Sequence, residues 1–401
     1  MLKPVMIRKA RVLEVQRQTP HQVLRCEIVA APPRQETGPA VSFQPGDNCR
    51  AICYPELLGN AEPGDIIQIE VSPLAKALGT GGEAMVLANE TRLPADELPN
   101  PGHLVKARYT PHQKVVLGAD EPDSPYHSLL RSADNLDGLP VLVTDLHSAL
   151  PAIVAGFLYQ NPRARLVYIQ TDGGALPLAY SRTVAQMRES GSLAATITCG
   201  QCFGGDFEAV SFPSALFVAS EVVKADAVIV SQGPGNLGTG TRWGYSGVDG
   251  AQFLHTASAL NGHPIAVLRM SSGDARPRHY GISHHSLTML TWMGLPPLDV
   301  VLPVFDLDNP IENALADPKG TFAPLVKSQL SLLQEHHRVI NQPTTGLYAA
   351  LEAFPVKLST MGRTLGEDPA AFLAAAAAGA YGATVPTRES KKPQKDLSAA
   401  S

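Results

Sequence analysis

Five short apolar runs in this 401-residue chain each lead into a segment crowded with residues that can do chemistry. PVLVT runs into Asp145-Leu-His147-Ser148, and RLVYIQ into Thr171-Asp172-Gly173-Gly174. AATIT runs into Cys199-Gly-Gln-Cys202-Phe-Gly204-Gly205-Asp206, and DAVIV into a glycine-rich stretch from Ser231 to Gly244. PIAVL runs into Arg269, Asp274, Arg276 and His279, then Ser283-His284-His285-Ser286. The segments at the opposite ends of these runs, QNPRA, ESGSL, VKAD and LNGHP, are short and ordinary. In an open parallel sheet, ligands bind outside the carboxyl ends of the strands. One-sided loading of the loops therefore predicts a single functional crevice at that edge.

The residue types suggest acid–base work there, with His147 or His284 as base and Asp145 or Asp172 orienting it. Neighbours His284 and His285 are not expected to face inward together from one helix, so one of them at most should act. Gly233, Gly235 and Gly238 fit G-x-G-x-x-G after a strand, where bare amides can cradle an anion. Asn236, Thr239, Thr241 and Arg242 would add polar side chains and a fixed cation. Pro234 inside the motif, the lack of an immediate helix and Arg269 at the next strand end all depart from a dinucleotide fingerprint. Cys199, three residues before Cys202 in a Cys-x-x-Cys pair, is a candidate nucleophile if a cation lowers its thiol. Asp145, His147, Asp172, Asp206, His284 and His285 are enough ligands for one divalent ion. No spacing such as H-E-x-x-H accompanies them, so no metal is assigned and the cofactor stays unknown. The plainer role for Ser148, Asp206, Ser211 and Ser283 is to cap helices.

A further polar segment, GHLVKARYTPHQ, places His103, Lys106, Arg108, Tyr109 and His112 ahead of the first run. Lys106 and Arg108 are expected either to meet an anionic substrate or to pair with the acidic DEPDSP loop. On GHLVKARYTP, VTDLHSALPA, TDGGALP, FGGDFEAV, QGPGNLGTGTRWG and GISHHS, the chain resembles an uncharacterised bacterial family, a domain of unknown function. That resemblance runs to about Leu302 and implies no particular activity. On Thr198-Cys199 and a leading β domain, the chain is faintly similar to the pyruvoyl-forming subunit of glycine and sarcosine reductases, which implies self-cleavage at Cys199.

The elements that must position these residues follow from hydrophobic period. Residues 1–92 alternate as short strands, with EPGDIIQIEVS a turn feeding a strand, and predict a small barrel-like β domain. Residues 93–112 read as a Pro-rich linker. Over 113–320, seven short, nearly all-apolar strands, the first at Lys114, alternate with helical patterns, as in a doubly wound, mostly parallel α/β domain. Residues 321–388 read as helical and 389–401 as a disordered tail.

Charged residues are only 17% of the chain and the net charge is −5, so neither nucleic acid nor an anionic membrane surface is an expected partner. Five dispersed cysteines do not make a secreted disulfide framework. The longest apolar stretch, AAFLAAAAAGAYGATV, falls short of the roughly 20 residues a membrane span needs. A cytoplasmic protein is the expectation, with a homo-oligomer suggested by Trp243 and Tyr245 at the end of the glycine-rich loop. Taken together, the sequence points to an enzyme, a hydrolase or a transferase, acting on a small anionic metabolite. The alternative is a non-catalytic ligand-binding or assembly protein using the same crevice.

Overall fold

The computed structural model describes residues 4–33, 43–78, 81–96, 101–316 and 321–386. The tail expected at 389–401 lies outside them, as does part of the expected linker. Residues up to 101, with 107–114, group into one compact unit, and 102–106, with those from 115 onward, into another.

In the first unit, β1 (Ile7–Arg17), β2 (Gln22–Ala30), β3 (Asn48–Cys53), β4 (Ile66–Glu70) and β5 (Ala84–Asn89) close into a barrel of order β1-β2-β3-β5-β4. Alternate side chains point inward: Ala10, Val12, Leu24, Cys26, Ile28, Ile67, Ile69 and Val86 make its core. Gln68 and Glu70, interleaved with the isoleucines of β4, are partly exposed. Closure removes the free edges that such short strands would otherwise present.

The second unit is built on eight strands: β6 (Pro140–Val143), β7 (Leu166–Thr171), β8 (Ala195–Cys199), β9 (Phe207–Ala209), β10 (Ala227–Gln232), β11 (His263–Val267), β12 (Asp299–Val304) and β13 (Arg338–Pro343). They form one sheet, ordered β9-β8-β7-β10-β6-β11-β12-β13. Every neighbouring pair is parallel. Period-2 alternation sends Val141, Val143, Val167, Ile169, Val228 and Val230 into one core and Leu142, Leu166, Tyr168, Ala227 and Ile229 into the other.

Helices cover both faces. The first core is closed by α3 (Phe212–Phe217), α4 (Gly250–Ala259), α5 (His284–Trp292) and α6 (Phe322–Gln334). The second is closed by α1 (Leu150–Gln160), α2 (Arg182–Glu189), α7 (Leu347–Ala353) and α8 (Pro369–Gly382). The doubly wound expectation holds.

Three details differ from the sequence reading. Lys114–Val116 is a short strand outside the large sheet. β9 and β13, which the pattern does not reveal, are its two edges. An edge strand has one neighbour and needs few apolar residues, so three-residue β9 and the polar RVINQP of β13 carry little hydrophobic signal. β13 also interrupts the segment 321–388, expected to be helical throughout.

The Ala-rich stretch is α8, a helix of 14 residues with apolar groups all round, buried on nearly every side. It packs on α1 so closely that a Cβ at Gly379 would collide with the Ile153 carbonyl, and one at Gly156 with that of Ala376. Among the described residues, no helix is long and apolar enough to cross a membrane.

Candidate functional site

The strand order sets the site. From β7 the chain steps outward to β8 and β9, returns to β10 between β7 and β6, then crosses β6 to build β11, β12 and β13 on the far side. Where successive connections diverge, the loops beyond the strands leave a crevice. A solvent-open pocket with about 290 Å³ of empty space lies there, lined by Thr144 and Asp145 after β6, Thr171 to Gly173 at β7, and Gln232 of β10. Ser246, Asp249 and the first turns of α4 line the remainder. The loops after β7 and β10 touch backbone to backbone: a Cβ on Gly174 would strike the Gly233 carbonyl, and one on Gly233 that of Ala175. Gly233 thus serves the packing of two loops.

Asp145 is the centre of the polar network. Its Oδ2 accepts from His285 Nδ1 at 2.9 Å and from Arg269 Nη1 at 3.3 Å. Its backbone carbonyl accepts from Gln232 Nε2 and Asn236 Nδ2. Burial alone would raise the Asp145 carboxyl, but the Arg269 charge and the His285 hydrogen bond outweigh it and hold it below the usual range. Tyr245 stacks on His285 with ring centroids 3.9 Å apart and donates its hydroxyl to the His285 carbonyl. Two oxygens on this crevice's lining residues have no partner although buried, Asp145 Oδ1 and Gln232 Oε1.

Asp172 is exposed, with Oδ2 accepting from the Gln201 amide at 2.9 Å. Across the crevice, partial desolvation and the like charge of Asp172 push the Asp249 carboxyl above its ordinary range.

His147 is buried on the α1 face of the sheet, its Nδ1 3.1 Å from the Tyr168 hydroxyl and its Nε2 2.7 Å from Ser181 Oγ. Burial lowers its pKa to about 4, so the ring is neutral and both nitrogens are occupied. Cys199 is buried too, and burial pushes its thiol up to about 12, which leaves a poor nucleophile.

The glycine-rich loop is a hairpin whose exposed threonines bond within the loop itself. Thr239 N donates to the Gly244 carbonyl, Gly244 N donates to Thr241 Oγ1, and the two threonine hydroxyls lie 3.0 Å apart. Gly235 and Gly238 have open space where a side chain would stand. Arg242 lies over the Trp292 ring, 4.9 Å from its centroid. The hairpin delivers Asn236 to Asp145 and Tyr245 to His285, a positioning role the G-x-G-x-x-G pattern does not suggest.

His284 and His285 depart from the one-of-two expectation. Both stand in the first turn of α5, capped by Ser283, and their rings lie 4.4 Å apart, with His279 5.0 and 5.1 Å away. At a helix's first turn, a ring can reach back over the preceding loop, so helical spacing does not separate them. Burial, with Arg269 and Arg276 nearby, lowers His279 to about 3, and burial with His285 and arginine charges lowers His284 to about 4. Of the expected caps, Ser211 and Ser283 cap helices. Ser148 instead pairs with Thr360, and Asp206 with Thr196 and Arg188.

Lys106 takes neither expected partner. It is buried, donating to the Cys202 and Ala209 carbonyls at 3.0 and 2.9 Å and pairing with Glu208 at 3.2 Å. It ties the loop after β8 to β9. Arg269, His279, Asp249, Gln232 and Tyr245 were not assigned site roles from sequence. Arg269 and His279 stand in the loop after one apolar run, and Gln232 and Tyr245 lie at the two ends of the glycine-rich stretch, whereas nothing in the sequence singles out Asp249.

Residues 50–379 match one protein family, described as "Protein of unknown function (DUF3866)". No curated protein and no solved structure matches the chain.

Proposed function

The chain belongs to this family of unknown function, and we propose that it is an enzyme acting on a small molecule rich in hydrogen-bond donors, such as a polyol, sugar or amine, in the crevice beyond β6, β7 and β10. The observation that carries this reading is the pair of buried, unpartnered acceptors, Asp145 Oδ1 and Gln232 Oε1, on the lining of one cavity. Each such oxygen left unmet costs about 1–3 kcal/mol, which a ligand donating to both would relieve. The charge of the lining supports donors over the anionic metabolite suggested by the sequence. Three aspartates face the crevice, and among the described residues only Asp145 is paired with a cation. Asp145 and Gln232 would orient the substrate. Asp172 and Asp249 would move the proton, since a carboxyl raised beside a second carboxylate holds one more readily than an isolated carboxylate does. Hydrolysis and group transfer are both within the means of such a pair.

A thermal-shift and calorimetric panel of polyols, monosaccharides and primary amines, set against phosphates and carboxylates of matched size, tests the reading. Donor-rich compounds should raise the melting temperature, and Gln232→Leu should abolish the response. Stabilisation by the anions alone, or an undiminished response in Gln232→Leu, would overturn it. For a compound that binds, Asp172→Asn and Asp249→Asn should keep most of the affinity and lose turnover. No turnover by the wild type, with weaker binding in both variants, would assign the crevice to a non-catalytic binding protein.

A further inference from the structure

Beside the crevice, on the far side of Asp145, three histidines converge. His279 comes from the loop after β11, and His284 and His285 from the start of α5. Each offers a ring nitrogen, and these nitrogens lie within 4.8 Å of one another. Zinc–nitrogen bonds of about 2.0–2.1 Å at tetrahedral angles would put three imidazole centroids roughly 5 Å apart. The observed separations are 5.0, 5.1 and 4.4 Å. Hydrogen bonding bears on which nitrogens are available. His279 Nδ1 is 2.8 Å from Ser283 Oγ, and His285 Nδ1 is 2.9 Å from Asp145 Oδ2. An ionised carboxylate has no proton to give, so His285 donates from Nδ1 and keeps Nε2 as an acceptor. Arg269 Nη1, also a donor, lies 3.0 Å from the same Nδ1 and 3.3 Å from the same carboxylate, so a His285 that keeps Nε2 for a metal gives its Nδ1 proton to Asp145 and leaves Arg269 to donate to the carboxylate. His284 Nε2 is buried with no partner at all.

We propose that His279, His284 and His285 bind one divalent metal ion of the zinc type, with Asp145 as the carboxylate that positions His285. Three imidazoles with a fourth position open is a ligand set of catalytic zinc, and a carboxylate behind a ligating histidine is its usual support. Asp145 offsets the nearby Arg269 charge, and stacked Tyr245 fixes the His285 ring plane. Asp145 is shared with the crevice, but none of the three histidines lines it, and the test uses no crevice ligand.

The full chain is stripped with a chelator and titrated at neutral pH with Zn²⁺, and in parallel with Co²⁺, whose visible absorption reports tetrahedral nitrogen ligation. One equivalent should bind with a tetrahedral Co²⁺ spectrum. His279→Ala and His284→Ala should lose stoichiometric binding, Asp145→Asn should weaken it about 10–100-fold, and exposed His255→Ala should leave it unchanged. Circular dichroism of each apo variant checks folding; should His284→Ala not fold, His279→Gln and the wild-type Co²⁺ spectrum carry the test. Wild-type chain that takes up no equivalent of either metal overturns the proposal. So does uptake that survives both histidine substitutions, or that His255→Ala abolishes.

Discussion

A buried carboxylate persists as an anion only where donors and cations face it, and Asp145 meets that condition through Arg269, 124 positions away in the chain, and His285, 140 away. His147 meets the opposite condition, being buried among neutral hydroxyls. Its ring has a pKa of about 4 in place of 6.5, so the folded state takes up its proton later than the unfolded chain. The stability tied to this group is complete above pH 6.5 and is lost as pH falls from 6.5 through 4. At about 1.4 kcal/mol per pKa unit that is about 3 kcal/mol. Urea unfolding at pH 7.5 and pH 4.5 should therefore show a smaller acid loss in His147→Gln than in wild type; equal losses would remove His147 from the account. Lys106 and Glu208 form a buried ion pair, and burial raises the Glu208 carboxyl despite the lysine. Lys106→Met should destabilise by about 3–5 kcal/mol by stranding Glu208, and Lys106→Met/Glu208→Gln should recover part of that. A double variant no more stable than the single would show that the loss lies in the lysine's contacts with the Thr198, Cys202 and Ala209 carbonyls. For Cys199, alkylation of the native chain by iodoacetamide at pH 8 should be far slower than that of a free thiol, and rapid labelling would contradict the raised thiol.

At the scale of elements, the tightest constraint is the seam between α1 and α8. Glycine at 156 and 379 lets the two backbones approach, whereas at Gly382 an added Cβ would stand 3.2 Å from Leu142 Cδ2. Gly379→Ala should therefore cost several kcal/mol, and Gly382→Ala much less. Differential scanning calorimetry distinguishes them, and similar melting temperatures would show that the seam yields. The same elements show how far a pattern can be read. Six of the seven strands expected from apolar runs are in the sheet, because a strand buried on both faces must be apolar at most positions. The missing two are its edges, where that requirement lapses. The site divides similarly: the loops were legible as a set from their position after strands, but the partners of Asp145 were not. His147 follows a strand as expected of a site residue, and the 3₁₀ segment at 147–149 sets its ring against the Tyr168 and Ser181 hydroxyls, partners the sequence does not reveal.

For the whole molecule, the decisive feature is the insertion of β10 between β7 and β6, which opens the crevice and brings Asp145, Asp172 and Gln232 to one cavity. A ligand there links loops far apart in sequence, and at 100 times its Kd it would add about 2.7 kcal/mol. Hydrogen exchange with a stabilising compound should slow at residues 144–145, 171–173 and 246–253 and stay unchanged in β1 to β5; protection confined to the barrel would place the ligand elsewhere. By itself, the sequence determined the local quantities: strand and helix period, the barrel followed by an alternating α/β region, and which strand ends carry polar loops. These follow from burial, which each segment expresses in its own residues. Tertiary structure alone decided which distant loops meet, and so the His285–Asp145–Arg269 network, the three-histidine cluster and the acidic lining of the crevice. Those depend on strand order, and strand order is fixed by how the crossovers pack and not by the pattern within any one strand.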